Sequence, residues 1–171
     1  MCIRDRVNAG TYVLEASILQ RISAGERTSI ERVTFPALAG EGRLFGFQTE
    51  TYWIDAGTPA TYLQAQLDLV DGHRATTPPA VAADATVADG AKVEHAVLMA
   101  GASVADGASV VDSAVLPGAR VERGATVRDA VVGPDAVVGT DAVVDGGTVL
   151  GAGAVVEPGE ILTDVRRPGA A

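Results

Sequence analysis

Asp55 is the residue whose type and surroundings best suit metal chemistry. It follows a short apolar segment at 51–54 that we predict to be a strand, and Gly57 comes two residues later. A carboxylate at the end of a strand, next to a glycine that leaves room around the backbone, is in a suitable place to be presented to a ligand such as a metal ion. The same pattern also fits an aspartate that only shapes the turn. The local sequence leaves both interpretations open.

The two histidines and the scattered aspartates are weaker candidates. His73 lies in a polar linker, and His95 stands at a turn position otherwise taken by Gly or Asp, so we expect neither to be catalytic. The aspartates are single and well separated in sequence, which favours solvated turn residues over a calcium site. They are Asp84, Asp106, Asp112, Asp129, Asp135 and Asp141.

Composition argues against several classes of protein. The formal net charge of −9 offers no basic face for nucleic acid, and attraction to anionic lipid is not expected either. No apolar run approaches the ~20 residues that span a bilayer, and no secretory signal is recognisable. Cys2 is the single cysteine, so no internal disulfide can form. We therefore expect a cytoplasmic protein.

The aromatic residues divide the chain in two. All seven lie between Tyr12 and Tyr62, and none follows. The polar stretch 73–79, which ends in Pro78 and Pro79, has the composition of a linker between the two parts.

The second part carries a repeat of 17 residues. Aliphatic residues recur at steps of 6, 6 and 5, and a small residue, usually Ala, stands two positions before almost every one of them. One position earlier still, Gly or Asp dominates. The fifteen aliphatic positions are Val81, Val87, Val93, Leu98, Val104, Val110, Val115, Val121, Val127, Val132, Val138, Val144, Val149, Val155 and Ile161.

This pattern predicts a parallel β-helix. Each short strand would turn one aliphatic side chain inward, a turn with φ > 0 would follow, and three sides would close a coil. About five coils would then stack in register, with a helix at 59–70 covering the upper end of the stack. The repeat resembles that of hexapeptide-repeat left-handed β-helices, and this resemblance implies the hand.

The first part has the pattern of a mixed α/β segment. Leu14, Ile18 and Ile22 recur at helical spacing, and Ser29 is a predicted N-cap of a second helix that Pro36 interrupts or restarts. Alternation over 43–49 predicts another strand. Thr58 and Pro59 predict the start of a helix that Gly72 ends.

Three segments resemble sugar-1-phosphate nucleotidyltransferases. Residues 7–13, Val-Asn-Ala-Gly-Thr-Tyr-Val, are similar to the Asn-x-Gly-x-Tyr strand of that family. Residues 29–36, Ser-Ile-Glu-Arg-Val-Thr-Phe-Pro, resemble a segment of its mannose-1-phosphate guanylyltransferase branch. Residues 52–59, Tyr-Trp-Ile-Asp-Ala-Gly-Thr-Pro, match its Trp-x-Asp-x-Gly-Thr-Pro turn. Each motif is weak alone, but the three occur in family order and are followed by the repeat.

The resemblance implies a reaction and roles for particular residues. A sugar-1-phosphate oxygen would attack the α-phosphorus of a nucleoside triphosphate and release pyrophosphate. Asp55 would be catalytic as a ligand of Mg²⁺, and Asn8, Gly10 and Glu31 would line the sugar site. Glu31 could equally serve a helix N-terminus. The most similar branch makes GDP-mannose, although neither the base nor the sugar can be fixed from these residues.

The resemblance also predicts how the chain is organised. No Gly-x-Gly-Thr-Arg-Leu loop or Glu-Lys-Pro segment is present, so we expect a fragment that is inactive alone. The predicted segments are a non-native start (1–6), the C-terminal part of a Rossmann-like α/β catalytic domain (7–72), the linker (73–79), the β-helix (80–163) and a flexible tail (164–171). We expect that copies of this chain can associate with one another through the β-helix.

Two alternatives stay open. One is a hexapeptide-repeat acyltransferase, which would need a histidine at a cleft between coils and usually a loop that breaks the repeat. The other is a non-catalytic regulatory or assembly subunit of the same fold.

Overall fold

The computed structural model describes residues 8–73 and 79–169. The expected non-native start and most of the linker lie outside the described residues. The chain divides into two compact units, with the boundary between Trp53 and Ile54. The first unit contains a 3₁₀ helix (Ala16–Arg21), a π-helical turn (Ile30–Thr34) and helix α1 (Phe35–Gly40), and the second contains helix α2 (Pro59–Val70) and all of the strands.

The second unit is a parallel β-helix. Among the described residues, fifteen short strands form three five-stranded sheets, and in each sheet every strand pairs with the strand three places along the chain. The strands are β1 (Thr86–Val87), β2 (Lys92–Glu94), β3 (Val97–Leu98), β4 (Ser103–Val104), β5 (Ser109–Val111), β6 (Ala114–Val115), β7 (Arg120–Val121), β8 (Thr126–Arg128), β9 (Val131–Val132), β10 (Val137–Val138), β11 (Val143–Asp145), β12 (Val149–Leu150), β13 (Val155–Val156), β14 (Ile161–Thr163) and β15 (Arg166–Arg167).

This arrangement confirms the predicted fold class. A short, helix-containing N-terminal region precedes five stacked coils, and the architecture is consistent with the left-handed β-helix. Aliphatic residues stack in the interior with Ala at the corners, and turn residues such as Asp112 and Gly118 adopt positive φ as expected. Each coil buries its inner face against its neighbours, because a single coil cannot do so alone.

The predicted register is wrong in the last part of the repeat. Up to Val144 the paired residues of successive coils are 17 residues apart, as in the pairing of Thr126 with Val143 and of Val127 with Val144. The next pairings, Val132 with Leu150 and Val138 with Val156, are 18 residues apart. The inward residues are therefore Leu150, Val156 and Leu162, whereas Val149, Val155 and Ile161 were predicted.

The shift comes from one additional residue in a turn. Gly146 and Gly147 both adopt positive φ between β11 and β12, where each earlier coil has a single such residue. Two consecutive glycines can lengthen this turn at little steric cost. The corner after it is taken by Thr148, whose buried hydroxyl donates to Asp145 O at 2.6 Å and accepts from Val165 N at 3.1 Å.

The β-helix continues beyond its predicted end. Strand β15 pairs with β12, so residues 166–167 belong to the last coil and not to a flexible tail. The Arg167 guanidinium donates to Val155 O at 2.6 Å and forms an ion pair with Glu160. This ion pair, together with the Glu157 backbone N–H, lowers the pKa of Glu160 to about 2.

Helix α2 packs on the side of the β-helix, and the prediction that it covers the upper end is wrong. Leu63 and Leu67 pack against Ala114 and Val131, which point outward from the sheet of β3, β6, β9, β12 and β15. Thr58 and Thr61 form the predicted N-terminal cap as a reciprocal capping box, and Gly72 with φ +78 follows the last turn.

The first unit differs from its predicted secondary structure. Ser29 caps the π-helical turn, as expected, by accepting from Arg32 N. The segments at 43–49 and 51–54, however, form no strand among the described residues. An alternating pattern creates a strand only where a second strand supplies backbone hydrogen bonds.

Candidate functional site

Asp55 lies in a turn that leads into helix α2. Gly57 N donates to Asp55 Oδ1 at 3.0 Å, which forms an Asx-type turn, and Thr58 then caps the helix. A Cβ at position 57 would meet Asp55 Oδ1 at 3.0 Å, so glycine gives this carboxylate its space. The turn-shaping role considered from the sequence is thus present, and the carboxylate is also exposed to solvent.

A second group of residues forms in the first unit around Asn8. Its amide accepts from Gly10 N at 3.0 Å through Oδ1, and it donates through Nδ2 to Tyr12 Oη at 2.6 Å and to Glu31 Oε1 at 3.2 Å. The Tyr12 hydroxyl donates to the same carboxylate oxygen of Glu31. We call Asn8, Gly10, Tyr12 and Glu31 the Asn8 cluster.

Packing and capping position the two ends of this cluster. The ring of Tyr12 meets the ring of Phe35 edge to face, with centroids 4.7 Å apart, and Phe35 is buried. The π-helical turn that carries Glu31 starts at the Ser29 cap. Ser29 therefore serves the helix N-terminus, while the side chain of Glu31 contacts Asn8 and Tyr12.

The electrostatics of the cluster follow from these contacts. The hydrogen bond to the Glu31 carboxylate raises the pKa of Tyr12, because ionised tyrosine would lose this bond and repel the carboxylate. Tyr12 is therefore held as a neutral donor. The exposed cluster offers amide, backbone and carboxylate groups that suit a polyhydroxylated ligand.

The structure brings three of the four predicted site residues together. Asn8, Gly10 and Glu31 share one hydrogen-bond network in the first unit, and Asp55 belongs to the second unit. Sequence reasoning did not assign a role to Tyr12, although it stands in the Asn-x-Gly-x-Tyr motif. The tight turn at Gly10, with φ +70, is the feature that returns Tyr12 to Asn8.

Asp55 satisfies one requirement of a Mg²⁺ site. Mg²⁺ is commonly held by one or two carboxylates together with phosphate and water oxygens. The exposed Asp55 carboxylate provides a hard oxygen donor of this kind while Oδ1 keeps its bond to Gly57 N.

Among the described residues, no helix is long and apolar enough to cross a membrane.

Comparison with known proteins agrees with the fold. Residues 75–166, which nearly coincide with the β-helix, match the model of the family described as the GMPPB C-terminal domain. A mannose-1-phosphate guanylyltransferase of Mycobacterium tuberculosis (strain ATCC 25618 / H37Rv) is 37% identical over 102 residues, which cover 57% of this chain and 28% of that protein.

Two eukaryotic relatives carry names of the same kind. A mannose-1-phosphate guanyltransferase of Aspergillus fumigatus is 44% identical over 61 residues, 36% of this chain and 16% of that protein. A probable mannose-1-phosphate guanylyltransferase 3 of Arabidopsis thaliana is 36% identical over 80 residues, 47% of this chain and 24% of that protein. The chain thus spans 28% or less of the length of these relatives. On the match of the β-helix, the chain belongs to the GMPPB C-terminal domain family, and it is similar to part of proteins named as mannose-1-phosphate guanylyltransferases.

Proposed function

We propose that this chain is the C-terminal part of an enzyme that makes GDP-mannose from mannose 1-phosphate and GTP, with release of pyrophosphate. The observation that carries the proposal is the Asn8 cluster, which assembles three residues that the family resemblance places at the sugar. The names of the relatives support the same chemistry and argue against the acyltransferase alternative.

The residues of the Asn8 cluster would bind the sugar or hold the binding groups in place. Asn8 Oδ1, which can accept a second hydrogen bond, and the Gly10 carbonyl accept from sugar hydroxyls, and glycine lets the ligand approach the backbone. Tyr12 and Glu31 hold the Asn8 side chain in place. Catalysis of phosphoryl transfer depends mainly on such positioning and on charge neutralisation.

Asp55 would hold the metal. Mg²⁺, when bound, would neutralise negative charge on the phosphates. The chain contains no Gly-x-Gly-Thr-Arg-Leu segment. We therefore propose that the nucleotide loop belongs to the part of the relatives that this chain does not match, and that the chain alone is inactive.

Association of copies through the β-helix stays a prediction. Val155 and Ile161 are exposed apolar residues that point outward from β13 and β14. In the first three coils the same rows carry polar residues, namely Thr86, Ser103 and Arg120 in one sheet and Lys92, Ser109 and Thr126 in the other. The fourth coil carries Val137 and Val143 in these rows. The last two coils are thus the surface best suited to such contacts.

The sugar role of Asn8 can be tested in a chimaera in which this chain replaces the corresponding C-terminal part of the M. tuberculosis relative. We expect Asn8→Ala to raise the KM for mannose 1-phosphate about 10-fold, the effect of losing one or two hydrogen bonds, and to leave the KM for GTP unchanged. Thr11→Ala, an exposed change in the same segment, is the control. Equal changes in both KM values, or none, would remove Asn8 from the sugar site.

A further inference from the structure

Both histidines of the chain lie beside the C-terminal end of helix α2. At this end Gly72 N donates to Leu69 O and His73 N donates to Asp68 O at 3.0 Å, which is the pattern of a Schellman motif. The motif turns the chain back over the last helical turn and places His73 Nδ1 3.6 Å from Asp68 Oδ1. Potential ligand atoms of Asp68, Asp71 and His73 lie within 4.8 Å of one another.

The second histidine reaches the same group from the β-helix. His95 occupies the turn between β2 and β3 with φ 44, a conformation that the corresponding turns fill with Gly or Asp. Its Nε2 atom lies 3.2 Å from Asp71 Oδ1, and its Nδ1 atom lies 2.6 Å from Asp112 Oδ1 in the next coil. His95 therefore links Asp71 at the helix end to Asp112 in the second coil.

We propose that Asp68, Asp71, His73 and His95 bind one divalent transition-metal ion of the zinc class, which ties the end of helix α2 to the β-helix. This site is separate from the proposed magnesium ligand Asp55 and does not depend on the proposed enzymatic function. The four side chains offer two imidazole nitrogens and two carboxylates, a donor set that suits Zn²⁺ better than Mg²⁺.

Two of the separations are close to those of tetrahedral coordination. Zn–N and Zn–O bonds of about 2.0–2.1 Å place the ligand atoms of a tetrahedral site about 3.3 Å apart. The separations of 3.2 Å between His95 and Asp71 and of 3.6 Å between His73 and Asp68 bracket that value. The ligand atoms of Asp68, Asp71 and His73 already lie within 4.8 Å of one another, and the His95 side chain has to rotate before its Nε2 atom can reach an ion that those three residues hold.

Two neighbours orient the ligands as the partners of metal ligands usually do. Asp112 accepts from the Nδ1–H of His95, so Nε2, which faces Asp71, is the nitrogen that a metal ion would bind, as in the carboxylate–histidine–metal arrangement. Gln64 Nε2 donates to Asp68 Oδ1 at 2.6 Å, and Asp68 is only 8% exposed. A buried carboxylate with Asp71 nearby gains from a compensating cation.

Without metal, His95 can supply part of that charge itself. The hydrogen bond to Asp112, with the nearby Asp71, raises the pKa of His95. The imidazolium would then bridge the two carboxylates, and metal binding would displace the proton from Nε2. The competing interpretation is a purely structural ion-pair cluster, and a metal titration separates the two.

The test is titration of the untagged 171-residue chain with Zn²⁺, followed by calorimetry and native mass spectrometry. We expect one ion per chain, a higher thermal unfolding temperature in its presence, and visible absorption bands of tetrahedral Co²⁺ when Co²⁺ is used instead. Millimolar Mg²⁺ should not compete. No bound ion at a tenfold excess of Zn²⁺, or equal competition by Mg²⁺, would overturn the proposal.

Matched variants locate the ion. His95→Asn keeps a residue that tolerates positive φ, and His73→Gln changes an exposed residue beyond the helix, so both should fold. Each is expected to weaken Zn²⁺ binding at least 30-fold, roughly the loss of one ligand, and Asp112→Asn about 10-fold. Asp135→Asn, at another turn with positive φ, is the control. Wild-type affinity in the His73→Gln and His95→Asn double variant would place any bound ion elsewhere and refute the site.

Discussion

Val156→Asp is expected to open the last coils of the β-helix, whereas Val155→Asp leaves them intact. Val156 is fully buried and pairs with Val138, and its neighbour Val155 is 50% exposed. An aspartate at position 156 would bury an unpaired carboxylate among aliphatic side chains, at a cost of about 3 kcal/mol or more. This corresponds to roughly 100-fold faster amide exchange in residues 149–163.

Hydrogen exchange is the suitable measurement because a terminal coil can open without global unfolding. Val155→Asp introduces the same charge on the same strand, so it controls for the added carboxylate and for strand propensity. The strict 17-residue period predicts the opposite ranking. If Val155→Asp were the damaging change, the 18-residue coil at Gly146 and Gly147 would be wrong.

Asp55→Asn is expected to lower kcat/KM of the chimaera about 100-fold or more at saturating Mg²⁺. The asparagine Oδ1 can still accept from Gly57 N, so the turn into helix α2 is kept while the negative charge is lost. A lost metal ligand removes charge stabilisation worth several kcal/mol. The concentration of Mg²⁺ needed for half-maximal activity should rise as well.

The pyrophosphate-release rate at several Mg²⁺ concentrations measures both effects. Asp84→Asn, the same change at an exposed turn of the β-helix, should leave activity unchanged. Near-normal activity of Asp55→Asn with unchanged Mg²⁺ dependence would return Asp55 to a turn-shaping role only.

The β-helix could be predicted from the sequence because its rule is local and repeated. A turn residue, a small corner residue and an inward aliphatic residue recur on each side of each coil. Because the coils stack on one another, each coil repeats the residue pattern of the one before it. The pattern did not reveal the extra residue at Gly147, since both members of Val149–Leu150 and Val155–Val156 are aliphatic. The Gly153–Ala154 pair was the available signal: earlier turns place Gly or Asp directly before the corner Ala, which puts Val156 inward.

The position of helix α2 also had a signal in the sequence. Ala114, Val131 and Val149 occupy one outward row in three successive coils, where most outward rows are polar in the early coils. An apolar outward row marks a surface that another element covers. The helix therefore packs on this side, and not on the end of the stack.

The candidate sites were predictable only in part. Asn8, Gly10 and Glu31 were identified through family motifs, but their hydrogen-bond network and the part played by Tyr12 depend on a contact between segments 19 residues apart. The convergence of His73 and His95 on Asp71 depends on how α2 docks on the coils. Such long-range contacts leave no periodic pattern in the chain.

The most direct test of the proposed function is pyrophosphate release from GTP by three proteins at equal concentration: this chain, the remaining N-terminal part of the M. tuberculosis relative, and the chimaera that joins them. We predict release that depends on mannose 1-phosphate from the chimaera alone, because the nucleotide loop and the residues Asn8 and Asp55 then occur in one protein. Robust turnover by this chain alone would contradict the account. So would a folded chimaera that shows no turnover when the intact M. tuberculosis relative is active in the same assay.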